Sequence, residues 1–287
     1  MAVKNTLAAT KKKSNLTAYL TQDAVKNQIN NVIGGKNGQR FISAIVAAVN
    51  TNPALQDCTN TSILSGALLG ESLKLSPSPQ LGHYYLVPFK DKNQGQVAQF
   101  QLGYKGYIQL AIRSGMYKKL NVLAIKEGEL INFDPLTEEI EVRLIEDEEE
   151  RENAPTTGYY AMFEYTNGFK KAMYWSKAKM EAHALKYSQG YRAKKGFTFW
   201  ERDFDAMAYK TMLRQLISKW GIMSIEMQNA MEADMAVINE DGSKNYVDNQ
   251  PDIIEAKPEP EPVAQTPDNV AQQEAPAEAD PASALFE

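Results

Sequence analysis

Hydrophobic positions first recur along the chain at helical spacing. Leu16, Tyr19 and Leu20 are followed by Val25, Ile29, Val32 and Ile33, and Gly34-Gly35 closes the run. A second helix is predicted from about Gly38 to Val49, with Phe41, Ile42, Ile45, Val46 and Val49 as its apolar stripe and Asn52-Pro53 as its stop. A third starts near Asn60, where Thr61 or Ser62 offers an N-cap. It carries Ile63, Leu64, Ala67, Leu68 and Leu73 up to the breaker Ser76-Pro77-Ser78-Pro79. The spacing then changes to that of strands. Tyr84 to Phe89 and Val97 to Leu102 read as a hairpin turning at Asp91–Gly95, and Pro88 puts the first strand at an edge or strand end.

That hairpin delivers the chain to Gly103-Tyr104-Lys105-Gly106-Tyr107, which opens a short helix with Ile108, Leu110, Ala111 and Ile112 on its apolar side and Gly115 as its stop. Further strands are predicted at 120–126, 130–133 and 140–145, and on either side of the turn Asn167-Gly168, at 158–165 and 169–175. Ser176 caps a helix reaching Tyr187. Residues 188–200 show no clean helical period and are expected to form a loop or short hairpin. Helical spacing returns from Arg202 to Trp220, then from Ile225 to about Val237, where Met227, Met231 and Met235 form a stripe suited to packing or to a subunit contact. The fold class is therefore α+β: N-terminal helices, a small antiparallel sheet of hairpins, and C-terminal helices around a basic groove.

Composition adds boundaries. Residues 1–14 are small, polar and lysine-rich, and are expected to be disordered. The core domain is read as 15–238. From 239 to 287 the chain turns to Pro, Glu, Asp, Ala and Gln, and Lys257-Pro258-Glu259-Pro260-Glu261-Pro262 suits neither helix nor sheet, so a disordered acidic tail is expected. Its last residues, Ala284-Leu285-Phe286-Glu287, read either as a docking peptide or as a plain end. No apolar run has the length of a membrane span, and no apolar segment follows the N-terminal lysines, which points to a cytoplasmic protein. A single cysteine, Cys58, excludes an internal disulfide, and with only His83 and His183 no Cys/His zinc site is available.

Charge changes the picture more than composition does. The net −5 conceals segregation: residues 239–287 hold twelve acids against two bases, a net of −10, which leaves +5 on the first 238. Within those, 138–152 holds nine acids against Arg143 and Arg151, whereas 166–220 holds twelve Lys and Arg against four acids. Such asymmetry suits a nucleic-acid binder. The acidic run Glu146–Glu150 is read as a solvated, mobile loop rather than a metal site, because consecutive like charges repel.

Candidate chemistry follows that map. Lys105, Tyr107 and Arg113 surround a strand-to-helix junction, where glycines permit close backbone approach and a helix N-terminus favours an anion. Tyr104 and Tyr107 read either as base-stacking faces or as core. Lys186, Arg192, Lys194 and Lys195 cluster near Phe197, Phe199 and Trp200, which read either as wedges between bases or as packing. Lys210 and Arg214, four residues apart, share a helix face, and their mutual repulsion favours an anionic partner over an ordinary solvated face. No Gly-x-x-x-x-Gly-Lys-Ser/Thr loop exists (Gly35-Lys36 is followed by Asn37), nor any Gly-x-Ser-x-Gly or His-Glu-x-x-His. No ATP requirement, no catalytic residue and no metal ligand is assigned, magnesium entering only through DNA. A metal nuclease with dispersed carboxylates stays open as an alternative.

The chain resembles the RecT family of phage and prophage recombinases across about residues 40–235. The resemblance rests on Asn52-Pro53-Ala54-Leu55, on Leu69-Gly70-Glu71-Ser72-Leu73-Lys74-Leu75, and on Pro79 with Gly82-His83-Tyr84-Tyr85-Leu86-Val87-Pro88-Phe89. Gly103-Tyr104-Lys105-Gly106 and Ala111-Ile112-Arg113-Ser114-Gly115 complete it. Tyr84 departs from the small residue the family usually carries there. The resemblance implies an ATP-independent protein, not an enzyme, that coats single-stranded DNA and anneals complementary strands. It further implies ring or helical oligomers, a partner exonuclease, and contact with the host's single-strand binding protein through the C-terminal region. A passive single-strand coat is the other alternative.

Overall fold

The alternating and helical patterns both translate into structure in a computed structural model that describes residues 15–91, 94–196 and 198–246. Expectations for 1–14, for 247–287 with its terminal peptide, for the turn at 92–93 and for Phe197 lie outside the described residues. The first half supplies α1 (Leu16–Leu20), α2 (Asp23–Ile33), α3 (Gly35–Thr51), a 3-10 turn (Pro53–Asp57), α4 (Asn60–Ser72), β1 (Tyr84–Asp91), β2 (Gly95–Leu102) and α5 (Tyr104–Arg113). Next come β3 (Tyr117–Lys126), β4 (Leu130–Asp134), β5 (Glu139–Val142), α6 (Glu148–Asn153), β6 (Thr156–Tyr165) and β7 (Lys170–Ser176). The last part supplies α7 (Lys177–Tyr187), α8 (Gln189–Arg192), α9 (Phe199–Arg202), α10 (Phe204–Trp220), α11 (Ile225–Ala233), β8 (Ala236–Ile238) and β9 (Lys244–Tyr246).

Pairing is antiparallel throughout. One sheet has the order β1-β2-β8-β9, a second β3-β6-β7, and β4-β5 form a separate ribbon. Pro88 lies on the edge strand β1, where its missing N–H breaks no ladder. Two cores follow from this arrangement. Helices α1–α5 pack on the first sheet through Ile29, Ile45, Ile63, Phe100 and Leu110, while α7 and α9 pack on the second through Met180 and Trp200 against Tyr159 and Phe163. Helix α10 serves both: Leu213 and Ile217 enter the first core, and Ala208, Met212 and Leu216 enter the second. Tyr84 is fully buried, stacked 4.9 Å from Phe100, and Gly70 in α4 makes room for it, since a Cβ there would lie 2.3 Å from the ring. Among the described residues no helix is long and apolar enough to cross a membrane.

Four sequence expectations change. Thr61 and Ser62 do not cap α4: Thr59 holds the cap position, and Ser62 points inward, where its hydroxyl accepts from Ala98 N at 2.8 Å and ties the helix to β2. Part of the acidic run is helical, because Asp147 accepts from Glu150 N and the acids that follow sit at the positive end of α6. Residues 188–200 hold two short helical turns rather than a hairpin, Ser188 capping α8 and a Thr198/Glu201 capping box starting α9. Finally, α11 stops at Ala233. Residues 236–238 leave helical geometry to pair with β2, and β9 carries ordered structure to Tyr246, beyond the boundary read at 238.

Two buried carboxylates hold these pieces in place. Asp234, between α11 and β8, is almost fully buried. Its Oδ1 accepts from Leu102 N at 2.9 Å and from Lys210 Nζ at 2.8 Å; its Oδ2 accepts from Arg214 Nη1 at 2.6 Å and from the Tyr107 hydroxyl at 3.4 Å. Strand β2, helix α5 and helix α10 therefore converge on one side chain. Glu129, in the turn before β4, accepts from Arg151 Nε at 2.6 Å and from the amides of Lys126 and Ile145. Burial pushes its pKa up, but Arg151 and the two amides outweigh that and hold it below 4.5.

Removing Asp234 leaves Lys210 buried beside no carboxylate. D234A is expected to lower the unfolding free energy by about 3–5 kcal/mol, and adding K210M to recover part of it, as read by urea denaturation; a loss under about 1 kcal/mol would show that the hub is not structural. For Glu129 the folded pKa is the lower one, so its contribution is present above the unfolded value of 4.5 and is lost as pH falls through the folded value. The stability gap between wild type and E129Q should therefore shrink steadily below pH 4.5, and a pH-independent gap would remove this role.

Candidate nucleic-acid interface

The junction after β2 is built on close contact between backbones. Gly103 N donates to His83 O at 2.9 Å. A Cβ on Gly103 would lie 2.1 Å from Gly82 O, and one on Gly106 would lie 2.1 Å from His83 O. What the glycines let in is thus the protein's own 82–83 segment. Gly103 would also meet the Tyr85 ring at 3.2 Å, so its bare Cα lets that ring lie across the start of α5. Tyr85 in turn sits 5.5 Å from Phe199, and Tyr104 packs edge-on to Tyr209 at 5.6 Å. Burial first, then Tyr104 and Asp203, raise the Tyr85 phenol above its ordinary pKa. Lys105 is exposed, its ammonium 6.0 Å from the Tyr104 ring.

Between this junction and the α9–α10 segment lies a cleft of about 220 Å3. Tyr85, Gly103 and Tyr104 line it from the junction, and Phe199, Arg202, Met207 and Lys210 from α9 and α10. The structure therefore brings together three parts of the sequence expectation: the glycine junction, Phe199 and the Lys210 helix.

Other candidates are placed differently. Tyr107 is fully buried with its hydroxyl toward Asp234, and burial followed by that carboxylate raises its pKa well above 10.0. It is core, with no face presented to solvent. Lys210 is 8% exposed, and the anion that its spacing from Arg214 called for is Asp234. Burial lowers the Lys210 pKa, opposed by Asp234. Arg214 is bound to the same carboxylate but keeps 40% of its side chain exposed. Arg113 donates to Leu73 O at 2.7 Å and Lys74 O at 3.3 Å, placing a cation on the carbonyl end of α4 where Lys74 takes φ +54°. His83 accepts from Ser76 N, and burial, then Arg113 and Lys105, lower its pKa. Trp200 is buried against Phe204 at 5.1 Å, which makes it packing rather than a wedge.

Ion pairing sorts the basic 166–220 region into two sets. Lys170, Lys171, Lys210, Arg214 and Lys219 pair with Glu164, Glu138 or Asp234. Lys177, Lys179, Lys186, Arg192, Lys194 and Arg202 are exposed and have no carboxylate ion pair among the described residues. Lys195 is exposed beside them. All of this second set lies on the α7–α9 segment. Aromatic faces are interleaved, with Lys179 4.5 Å from Trp175 and Lys186 5.1 Å from Tyr187.

Sequence reasoning missed Asp234, Tyr85 and Arg202. Asp234 did carry a signal: it is a lone acid set between Ala233 and Met235-Ala236-Val237-Ile238, a context in which a carboxylate needs partners. Tyr85 and Arg202 carried none beyond residue type. Among the described residues no group of three or more His, Cys, Asp or Glu side chains converges as a metal site.

The sequence is similar to known proteins over most of its length. The chain is 41% identical over 248 residues to the uncharacterized protein YqaK of Bacillus subtilis (strain 168), which covers 85% of this chain and 80% of YqaK. It is 29% identical over 234 residues to Protein RecT of Escherichia coli (strain K12), covering 80% of this chain and 84% of that one. The RecT family profile matches residues 39–249, most of the chain, and the protein therefore belongs to the RecT family of DNA-binding, strand-annealing recombination proteins.

Proposed function

We propose that the protein binds single-stranded DNA and anneals complementary strands without nucleotide hydrolysis, as an oligomer in a bacterial cytoplasm. The observation that carries this reading is the set Lys177, Lys179, Lys186, Arg192, Lys194 and Arg202 on α7–α9, exposed and without a carboxylate ion pair among the described residues, in a chain of the RecT family. Unneutralised surface cations suit a backbone ligand whose charges are regularly spaced and carry no sequence information. Contacts that fall on phosphate and sugar, with at most wedges between bases, leave Watson–Crick edges free to find a complement, which an annealing protein requires. Nothing in such a cycle calls for a nucleotide cofactor, and magnesium acts only through DNA. An exonuclease that generates single strands and the host's single-strand binding protein are the partners such an activity implies.

Complementary labelled oligonucleotides mixed with the full chain and no nucleotide test the proposal. Pairing should accelerate well beyond the protein-free rate. Protection of the strand without acceleration would leave a passive coat, and cleavage on adding magnesium or manganese would favour a nuclease. K186A/R192A/K194A should also flatten the dependence of log affinity on log salt by about 2, at roughly 0.7 for each single-strand phosphate that is no longer neutralised. An unchanged slope would take α7–α8 out of the interface.

A further inference from the structure

We propose that the cleft between the Gly103 junction and α9–α10 receives one unpaired nucleobase of the bound strand. The proposal rests on the single-strand reading above and names what the cleft itself would hold. Size is the first argument. At about 220 Å3 the cleft is smaller than the roughly 300–1,000 Å3 of sites for drug-sized ligands, a scale suited to one planar ring system. Lining is the second. Tyr85, Tyr104 and Phe199 supply aromatic surface and Met207 a polarizable thioether, the side chains on which bases stack.

Charge decides between a base and a phosphate. Lys210 lines the cleft, but its ammonium is held 2.8 Å from Asp234 Oδ1, so its charge is already answered inside the fold. The remaining cation, Arg202, is exposed and suits the phosphate next to an inserted base. Two further lining groups are acceptors. Asp203 uses Oδ1 to cap Ala206 N, and Oδ2 has no hydrogen-bond partner among the described residues. Gln101 donates its amide nitrogen to Gln99 and keeps its amide oxygen. A site with acceptors and flat apolar faces suits bases bearing an exocyclic amino group, adenine, cytosine and guanine above thymine.

The consequence bears on annealing. A base stacked and paired in a duplex cannot enter the cleft, so the cleft fills on single strands and empties as pairing proceeds. One base held per subunit leaves its neighbours' pairing edges free. The cleft would then act as a sensor of unpaired DNA.

The test uses the full-length protein and a single-stranded oligonucleotide carrying 2-aminopurine at several positions, with anisotropy reporting binding and 2-aminopurine emission reporting the base environment. Wild type should give an emission change that saturates with binding on the single strand and is absent on the matched duplex. F199L, with circular dichroism confirming its fold, should bind about fivefold or more weakly at moderate salt and, at saturating protein, lose most of the emission change. R202Q should weaken binding while keeping the emission change at saturation. Full anisotropy with no emission change, or an unaltered emission change in F199L, would overturn the cleft proposal and leave single-strand binding standing. No anisotropy change even at low salt would overturn both.

Discussion

The arrangement of this protein depends on one buried carboxylate. Asp234 receives donors from the end of β2, from α5 and from two positions of α10, and it sits itself where α11 hands over to β8. Burying such a charge without partners costs several kcal/mol, so the carboxylate and its donors are stable only together. The hub explains a sequence feature that otherwise looks unfavourable, namely two cations four residues apart on one helix. They do not repel across a solvated face, because one anion lies between them and the strand. Two cations against one carboxylate also leave a net positive charge midway along α10, with Arg214 40% exposed.

The hub matters for the cleft because it fixes α5 relative to α10. The glycine junction sets how closely α5 approaches the 82–83 backbone, and Asp234 sets which helix faces it. Aromatic side chains from otherwise distant parts of the chain, Tyr85 before α5 and Phe199 before α10, then meet at 5.5 Å. Helix α10 joins the two cores, so a strand bound along α7–α9 would lie on an element packed against the second sheet while the cleft opens beside the first. Structural and surface cations are separated by the same device: internal carboxylates take up those that build the fold, and the others remain outside.

Much of the fold was legible because its period is local. The stripe Phe41, Ile42, Ile45, Val49 and the alternation around Asn167-Gly168 need only neighbours to be read, and each became the element expected. What escaped were relations across distance. Lys210 and Arg214 looked like a DNA face because their counter-charge lies 20 or more residues away, in a run that reads as helix. Tyr107 looked like a stacking face because nothing nearby shows that α5 is covered by Asp234. The 188–200 segment hid its helices because four-residue turns have no period; the Thr198-x-x-Glu201 box was the signal, visible only as capping chemistry. The family resemblance was carried by short motifs in order, and the glycines among them turn out to serve backbone packing.

Lysines of this protein divide into those paired inside the fold, such as Lys210, and exposed ones, such as Lys186 and Lys194, that the proposed function assigns to DNA, and lysine reactivity measures that division directly. Reductive methylation of the full-length protein, read by mass spectrometry with and without single-stranded DNA, should find Lys186 and Lys194 reactive in the free protein and protected on the strand, with Lys210 unreactive in both states. Ready modification of Lys210 in the free protein, or undiminished modification of Lys186 and Lys194 on DNA, would contradict it.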